Sequence, residues 1–370
     1  MPALTFVPAL SWYALLHAGP LRPLHTFVRT TQERFQPSRA ARFVPAAPRA
    51  EADLLARGAA TEDQRALVLR EQGRGRVPTI VLGGFVPDSA AQVFLLRRFF
   101  LQAGDLYAFI YPRDGFSLDL MCAQLDDLVA ELLAAGRAPV IFGVSFGAGL
   151  VLEWLRRKRA AGLDPALAGV VIVSPVACTA DVIAPGPAKP GTLLGRALKP
   201  YLDLAMPAGD AATERSRQVF LRMFEAGAQN KSALRKLMTI AELGRLRASV
   251  TEAIRGITTR GARERVQALM AMQAPTDYFL PALLPLTTAP ALVLFAEREE
   301  VVLDAGAPSV FAFKHGLRAY FPRGTVREVV ARAGAAPVQH ASLVFHVFEF
   351  LPPLQAFYGQ LRASNLPLAA

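Results

Sequence analysis

Short apolar runs and segments with helical periodicity alternate along two parts of the chain. Apolar runs bounded by glycine or proline are typical of strands buried on both faces of a sheet, whereas apolar residues recurring every three or four positions predict helices. The predicted strands cover 65–71, 77–84, 106–111, 139–142, 169–173, 291–295 and 325–330. Helices are predicted over 90–103, 118–135, 148–157 and 342–358. This alternation predicts an α/β fold with a mostly parallel central sheet and helices on both faces.

The alternation is interrupted after Val182, where a segment rich in proline and glycine begins. No strand pattern returns before residue 286, and 217–226 and 232–246 indicate amphipathic helices instead. We therefore expect an α/β core made of residues 65–182 and 286–370. The residues between them, 183–285, are predicted to form an inserted helical cap or lid.

Residues 1–64 are predicted to be an N-terminal extension, rich in proline, alanine and arginine, with one helix near 51–58. Residues 3–18 are apolar and aromatic, but no basic segment precedes them, so a secretory signal is not expected. Two interpretations stay open for this stretch. It either packs on the surface of its own domain or, with the basic residues that follow, attaches residues 1–30 to a membrane surface.

Composition narrows the class of protein. The chain has 370 residues, 52% of them hydrophobic and 19% charged, and contains no uninterrupted apolar stretch long enough to span a bilayer. The net charge of +11 comes from scattered arginines, and the dense run 156–159 is interpreted as a solvated helix face. No nucleic-acid-binding motif is present, so no nucleic-acid partner is expected.

Cysteine and histidine are scarce. Cys122 and Cys178 lack the spacing of a metal site or a redox pair, and we expect both to be reduced core residues. The expected location is cytoplasmic, with membrane association left open. With five histidines and no H-x-x-x-H spacing, no metal ligation is expected. Nothing in the sequence requires an organic cofactor.

The segment Gly143-Val144-Ser145-Phe146-Gly147 follows an apolar strand and precedes a helix. A sharp strand-to-helix turn would hold the serine hydroxyl at the top of the sheet, and it needs glycine two residues to either side. The backbone N–H of Phe146, at the helix start, would then point at a developing oxyanion. The alternative is a helix N-terminus with Ser145 as an ordinary cap.

A nucleophilic serine needs a base, and His340 is the predicted one. It lies in the loop after the strand at 325–330 and before the final helix, where functional groups converge in parallel sheets. His17 and His25 fall in the extension, His315 lies between the last two strands, and His346 falls within the predicted final helix. These four are less suitably placed to act on Ser145.

The orienting acid should follow the strand at 291–295, where several carboxylates are close together in sequence. Glu299 is the first choice, Asp304 the second and Glu300 the third, with Asp181 as an outside candidate. Only one can be buried against the histidine, and the others should be solvated.

The second oxyanion donor should come from Gly83-Gly84-Phe85, after the strand at 77–84, with the N–H of Phe85 as the expected donor. The alternative is a glycine turn without a catalytic part.

The order Ser145, acid, His340 on an alternating α/β chain resembles the α/β-hydrolase fold family. The resemblance covers about residues 65–180 and 286–370, and the insertion matches that family's cap in position. Gly83-Gly84-Phe85 stands where many members have His-Gly-Phe, and Ala296-x-x-Glu299 where many have Gly-x-x-Asp. The chain departs from that pattern at Gly84 and Glu299.

The predicted function is hydrolysis of a carboxylic ester by acyl transfer to Ser145, in the manner of an esterase or lipase. An apolar acyl or alcohol group is expected, with Gly84 and Phe116 beside the substrate. An acyltransferase, thioesterase or peptidase would use the same residues, and a non-catalytic protein that binds a small ligand would use the same scaffold.

Overall fold

The structure is a computed structural model that describes residues 39–184, 190–202, 209–227 and 238–364. The elements described here belong to one of the two units into which the chain divides, Ala41–Ala370. Outside the described residues lie the segments 1–30 and 3–18, whose membrane attachment is left open above, together with His17 and His25. The first part of the helix predicted at 232–246 lies outside them as well.

An eight-stranded sheet forms the centre of the fold, in the order β1-β2-β4-β3-β5-β6-β7-β8. β1 and β2, and β2 and β4, pair antiparallel, whereas the other neighbours pair parallel. The strands are β1 (Ala41–Phe43), β2 (Leu67–Glu71), β3 (Thr79–Leu82), β4 (Leu106–Ile110), β5 (Val140–Val144), β6 (Gly169–Val173), β7 (Ala291–Ala296) and β8 (Gly324–Val329). The predicted mostly parallel sheet is therefore confirmed.

Helices cover both faces of this sheet. Those of the core are α1 (Arg49–Ala56), α2 (Ser89–Gln92), α3 (Arg97–Ala103), α4 (Leu118–Ala134), α5 (Phe146–Ala160), α10 (Pro308–His315), α11 (Leu317–Tyr320) and α12 (Val347–Ser364). Between β6 and β7 the chain forms α6 (Leu193–Leu202), α7 (Asp210–Gly227), α8 (Ile240–Gly256) and α9 (Thr259–Ala271). We call α6 to α9 the inserted helices.

The apolar strand runs are explained by two hydrophobic clusters, one on each side of the sheet. Along β3, Ile80 and Leu82 belong to the cluster that includes α4 and α5, while Val81 belongs to the cluster that includes α3 and α12. Because successive side chains of a strand point to opposite faces, a strand covered on both sides is apolar throughout.

Several element boundaries differ from the predictions. The helix predicted at 90–103 is divided into α2 and α3, and the final helix begins at Val347 rather than at 342. The later start has a physical reason: Ser342 donates a hydrogen bond from Oγ to the carbonyl of Gln339, which holds a turn ahead of the helix. The described part of the predicted extension supplies β1 and α1, and α1 packs on the core through backbone N–H groups of Ala50 and Glu51 that donate to Asp127.

Candidate active site

Ser145 occupies a sharp turn between β5 and α5. Its backbone has φ 53° and ψ −116°, in a region that residues with a side chain rarely adopt. The turn is held by the N–H of Ser145, which donates to Val173 O at 2.9 Å, and by Val176 N–H, which donates to Ser145 O at 3.1 Å. A strained backbone of this kind persists only where its surroundings fix it, and such sites cluster at functional residues.

The two glycines of the motif are required by close backbone approach. A Cβ placed on Gly143 would lie 2.6 Å from Cα of Ala148. A Cβ on Gly147 would lie 2.3 Å from the carbonyl oxygens of both Gly83 and Leu82. Both positions are therefore closed to any side chain, for the reason expected from the sequence.

Ser145, His340 and Glu299 form a continuous line of hydrogen bonds. Nε2 of His340 lies 2.9 Å from Oγ of Ser145, and Nδ1 lies 2.5 Å from Oε2 of Glu299. With the proton on Nδ1, the ring donates to the carboxylate, and Nε2 is left to accept the serine hydroxyl proton. The side chains of His340 and Glu299 are 7% and 13% exposed, so water screens this pair weakly.

The loop that carries His340 is fixed to the loop that carries Glu299. The N–H of His340 donates to Arg298 O at 3.1 Å, and Arg298 pairs with Gln339 in an isolated bridge between the two loops. These backbone contacts set the histidine and the carboxylate at hydrogen-bond distance before any substrate enters.

Glu299 is oriented by two donors to its other oxygen. Oε1 accepts from the N–H of Ala296 at 2.6 Å and from Oγ of Ser174 at 2.7 Å, which leaves Oε2 for His340. Ser174, fully buried after β6, also accepts from the N–H of Ala341 at 3.3 Å. Ser174 is not among the residues predicted from the sequence, where its one signal is that it directly follows a buried strand.

The competing carboxylates lie elsewhere in the described structure. Asp304 is partly exposed and accepts from Gly306 N–H, while Glu300 is exposed and pairs with Arg298. Asp181 is fully buried, and it accepts from the N–H and Oγ of Ser309 at 2.8 and 2.7 Å, so its part is to tie the end of β6 to α10.

Phe146 directly follows Ser145 at the start of α5, and Phe85 follows Gly84 in the loop after β3. Neither backbone N–H donates to an acceptor within the described ranges, and that of Phe146 belongs to the first turn of α5, where such groups lack a partner in the helix. Gly84 lies against the serine: a Cβ on Gly84 would be 3.4 Å from Ser145 Cβ. Two N–H groups of residues next to Ser145 and Gly84 are thus without an acceptor in the described chain, and their part in an oxyanion site stays a prediction.

Aromatic rings pack on the side chains of Phe85 and Phe146. The Phe85 and Phe146 rings are 5.5 Å apart, and Phe116, which is buried, packs on Phe146 at 5.7 Å. Direct contact between Phe116 and a substrate stays a prediction. From the inserted helix α7, Phe220 stacks on Phe85 at 5.8 Å, and one turn later Phe224 packs at 5.2 Å on Phe345, five residues after His340. The helix α7 therefore connects the Phe85 loop with the His340 loop.

The remaining described histidines do not contact Ser145. His346 lies 2.9 Å from Ser342 Oγ through Nδ1, and burial lowers the pKa of its imidazole. His315 packs its ring on Phe311 at the end of α10. In the described ranges, no group of three His, Cys, Asp or Glu side chains could hold a metal ion. No helix there is both long and apolar enough to cross a bilayer.

Comparison with known proteins gives a match in structure alone. Neither a known protein family nor a curated protein matches the sequence. A structure described as a membrane phospholipase A, a novel bacterial virulence factor, has a TM-score of 0.56 and 14% identity over 96% of this chain and 98% of its own. An esterase from Rhodococcus sp. ECU1013 has a TM-score of 0.50 and 18% identity over 80% of this chain and 96% of its own. An esterase from Exiguobacterium antarcticum has a TM-score of 0.51 and 12% identity over 80% of this chain and 96% of its own. The chain thus has the α/β-hydrolase fold that the sequence resembles.

Proposed function

We propose that this protein is a serine hydrolase that cleaves carboxylic esters through an acyl-enzyme on Ser145. The observation that carries the proposal is the line of hydrogen bonds from Ser145 through His340 to Glu299, at a strained strand-to-helix turn. A serine, a base and an orienting acid in this geometry form the minimal apparatus for nucleophilic acyl transfer.

In the acylation step, Oγ of Ser145 attacks the ester carbonyl carbon while Nε2 of His340 takes the hydroxyl proton. The carbonyl oxygen becomes an oxyanion, which accepts from the N–H groups of Phe85 and Phe146. The carbonyl re-forms as the bond to the alcohol breaks, and His340 returns the proton to the departing alkoxide. Glu299 stabilises the transient imidazolium and holds its tautomer.

In the deacylation step, water replaces the serine as the nucleophile. His340 takes a proton from water, the second oxyanion is held by the same two N–H groups, and the acid product leaves as Oγ regains its proton. No cofactor takes part in either step.

The rings near the site favour an apolar acyl or alcohol group. Phe220 stacks on Phe85, which belongs to the loop 83–85 after β3, here called the oxyanion loop, and Phe224 packs on Phe345 in the loop that follows His340. Aromatic and aliphatic walls with a few polar groups are typical of sites for small apolar ligands. The esterase names of two structural neighbours agree with an ester as the substrate.

Covalent labelling tests the proposal directly. A fluorophosphonate should attach to the native protein, and Ser145→Ala should remove the adduct. Ser216→Ala is the matched control, because Ser216 is also a buried serine but its hydroxyl donates to the carbonyls of Ala197 and Ala212 in the inserted helices. If the native protein is not labelled, or if Ser145→Ala is labelled as fast as the native chain, the proposal is wrong.

A panel of substrates separates the alternatives. Hydrolysis rates on esters of increasing acyl length, a thioester and an amide distinguish an esterase from a thioesterase or a peptidase. A second alcohol added as acceptor detects acyltransferase activity. A protein that binds an apolar ligand without labelling would be the non-catalytic alternative.

We also propose that residues 183–285 form the cap of this hydrolase. A second proposal is that the protein is cytoplasmic and that its residues 1–30 attach it peripherally to membranes. The apolar and aromatic residues of 3–18 support the second proposal. Sedimentation of the full chain with anionic liposomes tests it, with a chain lacking residues 1–40 as the control. Equal sedimentation of the two would refute it.

A further inference from the structure

One arginine of the inserted helices is entirely buried beside the oxyanion loop. Arg265, on α9, is 1% exposed. Its Nη1 donates to the carbonyl of Phe85 at 2.5 Å, and its Nη2 donates to the carbonyl of Pro112 at 2.8 Å. One guanidinium therefore joins the inserted helices to the loops after β3 and β4.

The cation of Arg265 is surrounded by aromatic rings and backbone carbonyls rather than by a paired carboxylate. Nε of Arg265 is buried and has no acceptor in the described part of the chain. The nearby carboxylate of Asp88 forms its ion pair with Arg113 instead. The guanidinium lies 5.8 and 5.5 Å from the ring centres of Phe85 and Tyr111, where aromatic faces attract cations.

Burial lowers the pKa of Arg265 to about 10, so the side chain remains a cation at neutral pH. Removing a charge from water is costly, and an apolar side chain of similar length would avoid that cost. The presence of a cation here therefore indicates that its hydrogen bonds to the carbonyls of Phe85 and Pro112 have a function beyond packing.

The oxyanion loop is held at three consecutive residues. Tyr111 donates from its hydroxyl to Gly83 O at 3.0 Å, and Gly84 N–H donates to Oε1 of Gln92 at 2.8 Å. Arg265 holds the third, at Phe85 O. The N–H of Phe85 is left free between these anchors, and of the three side chains Arg265 alone comes from the inserted helices.

We propose, on the basis of the proposed hydrolase function, that Arg265 is a positioning residue for the oxyanion site. By fixing the Phe85 carbonyl, it orients the Phe85 backbone so that its N–H meets the oxyanion of the tetrahedral intermediate. The inserted helices thereby take part in catalysis through the geometry of the oxyanion loop. Turnover should depend on the packing of α9 against this loop.

The expected signature is a loss of kcat without a comparable change in KM. Removing one oxyanion donor outright costs about 10²- to 10³-fold in kcat, so misplacing it should cost about 10- to 100-fold. Interactions that form only in the transition state leave substrate binding nearly unchanged.

The experiment compares Arg265→Met with Arg217→Met. Arg217, on the inserted helix α7, donates from Nε and Nη2 to the carbonyl of Ile257 at 3.1 and 2.5 Å and forms an ion pair with Glu214, so it too binds a backbone carbonyl, but one outside the oxyanion loop. kcat and KM are measured on p-nitrophenyl butyrate, together with inhibition by a trifluoromethyl ketone, which forms an oxyanion on the serine. Thermal unfolding of each variant is recorded.

Arg265→Met should lower kcat and weaken inhibition by a similar factor, with KM within about threefold of the native value. Arg217→Met should lower thermal stability but keep the native kcat. Arg265→Lys retains the charge and one donor, so it should recover part of the loss. If Arg265→Met does not fold, the same comparison is made with Arg265→Lys, whose kcat should then fall at least fivefold.

Two outcomes overturn the inference in different ways. A native protein that hydrolyses the ester, with Arg265 variants as active as Arg217→Met, refutes the positioning part alone. A native protein that neither hydrolyses the ester nor binds the ketone refutes the proposed function and this inference with it.

Discussion

Replacing Glu299 by glutamine should disable His340 by forcing the wrong tautomer. Oε1 of Glu299 accepts from Ala296 N–H and from Ser174 Oγ. In Glu299→Gln, the amide oxygen must take this position, because an amide NH₂ would face the fixed N–H of Ala296. The NH₂ group is then directed at Nδ1 of His340, which must accept, and the ring proton moves to Nε2. A protonated Nε2 cannot take the proton of Ser145.

The magnitude follows from the loss of the base. Removing the orienting carboxylate of such a triad costs about 10⁴-fold in kcat, or about 5.5 kcal/mol at 1.36 kcal/mol per tenfold change. We expect a fall of about 10³- to 10⁴-fold for Glu299→Gln, with KM little changed. Glu299→Asp keeps the charge but shortens the reach, so its loss should be smaller.

The assay is hydrolysis of a soluble p-nitrophenyl ester, with the rate of fluorophosphonate labelling as a second readout of serine reactivity. Asp304→Asn is the control, because the Asp304 carboxylate accepts from Gly306 N–H and has no hydrogen bond to His340. A Glu299→Gln variant within tenfold of the native rate, or an Asp304→Asn variant that is the slower of the two, would refute the reasoning.

Three further predictions concern the support of the site. Gly147→Ala places a Cβ 2.3 Å from two carbonyl oxygens of the loop after β3, so the free energy of unfolding should fall by about 3 kcal/mol in chemical denaturation; an unchanged midpoint would contradict it. Ser174→Ala removes one of the two donors that hold Oε1 of Glu299, so kcat should fall about tenfold at constant KM in steady-state kinetics; a change in KM alone would argue against it. Burial lowers the pKa of His346 below its ordinary 6.5, so the folded state binds its proton less readily than the unfolded chain. His346 therefore contributes stability that is present above about pH 6.5 and is lost as the pH falls through its lower pKa in the folded state. In His346→Gln, the thermal unfolding temperature should depend less on pH in that range. An equally steep fall of the unfolding temperature with decreasing pH in the variant would contradict this role of His346.

The parts of the site that the sequence could predict are those set by local geometry. The elbow at Ser145 follows from glycine spacing between a strand and a helix, and His340 follows from its place after the last strand. Glu299 was the first choice among neighbouring carboxylates, and it is the one in hydrogen-bond contact with His340. The sheet was predictable for a similar reason, because strands buried on both faces are apolar throughout.

The residues that the sequence did not identify act across long separations. Ser174 meets Glu299 across 125 positions, and Arg265 meets Phe85 across 180. Neither contact leaves a local pattern, because each depends on how two distant loops meet after the sheet has formed. The predicted start of the final helix is wrong for a local reason. A side-chain hydrogen bond from Ser342, which periodicity does not show, holds a turn ahead of α12.

Backbone strain marks the site independently of its chemistry. Within the described residues, the non-glycine positions with positive φ are Ser145, Ser174 and Ala341, at 53°, 46° and 50°. They are the proposed nucleophile, the residue that holds Glu299, and the neighbour of His340. Each such conformation costs about 1–3 kcal/mol and persists only where its surroundings fix it. The hydrogen bond from Ala341 N–H to Ser174 Oγ links two of the three directly. Three strained residues on three separate loops, all beside one hydrogen-bonded line, indicate that the fold gives up stability to hold these side chains in place.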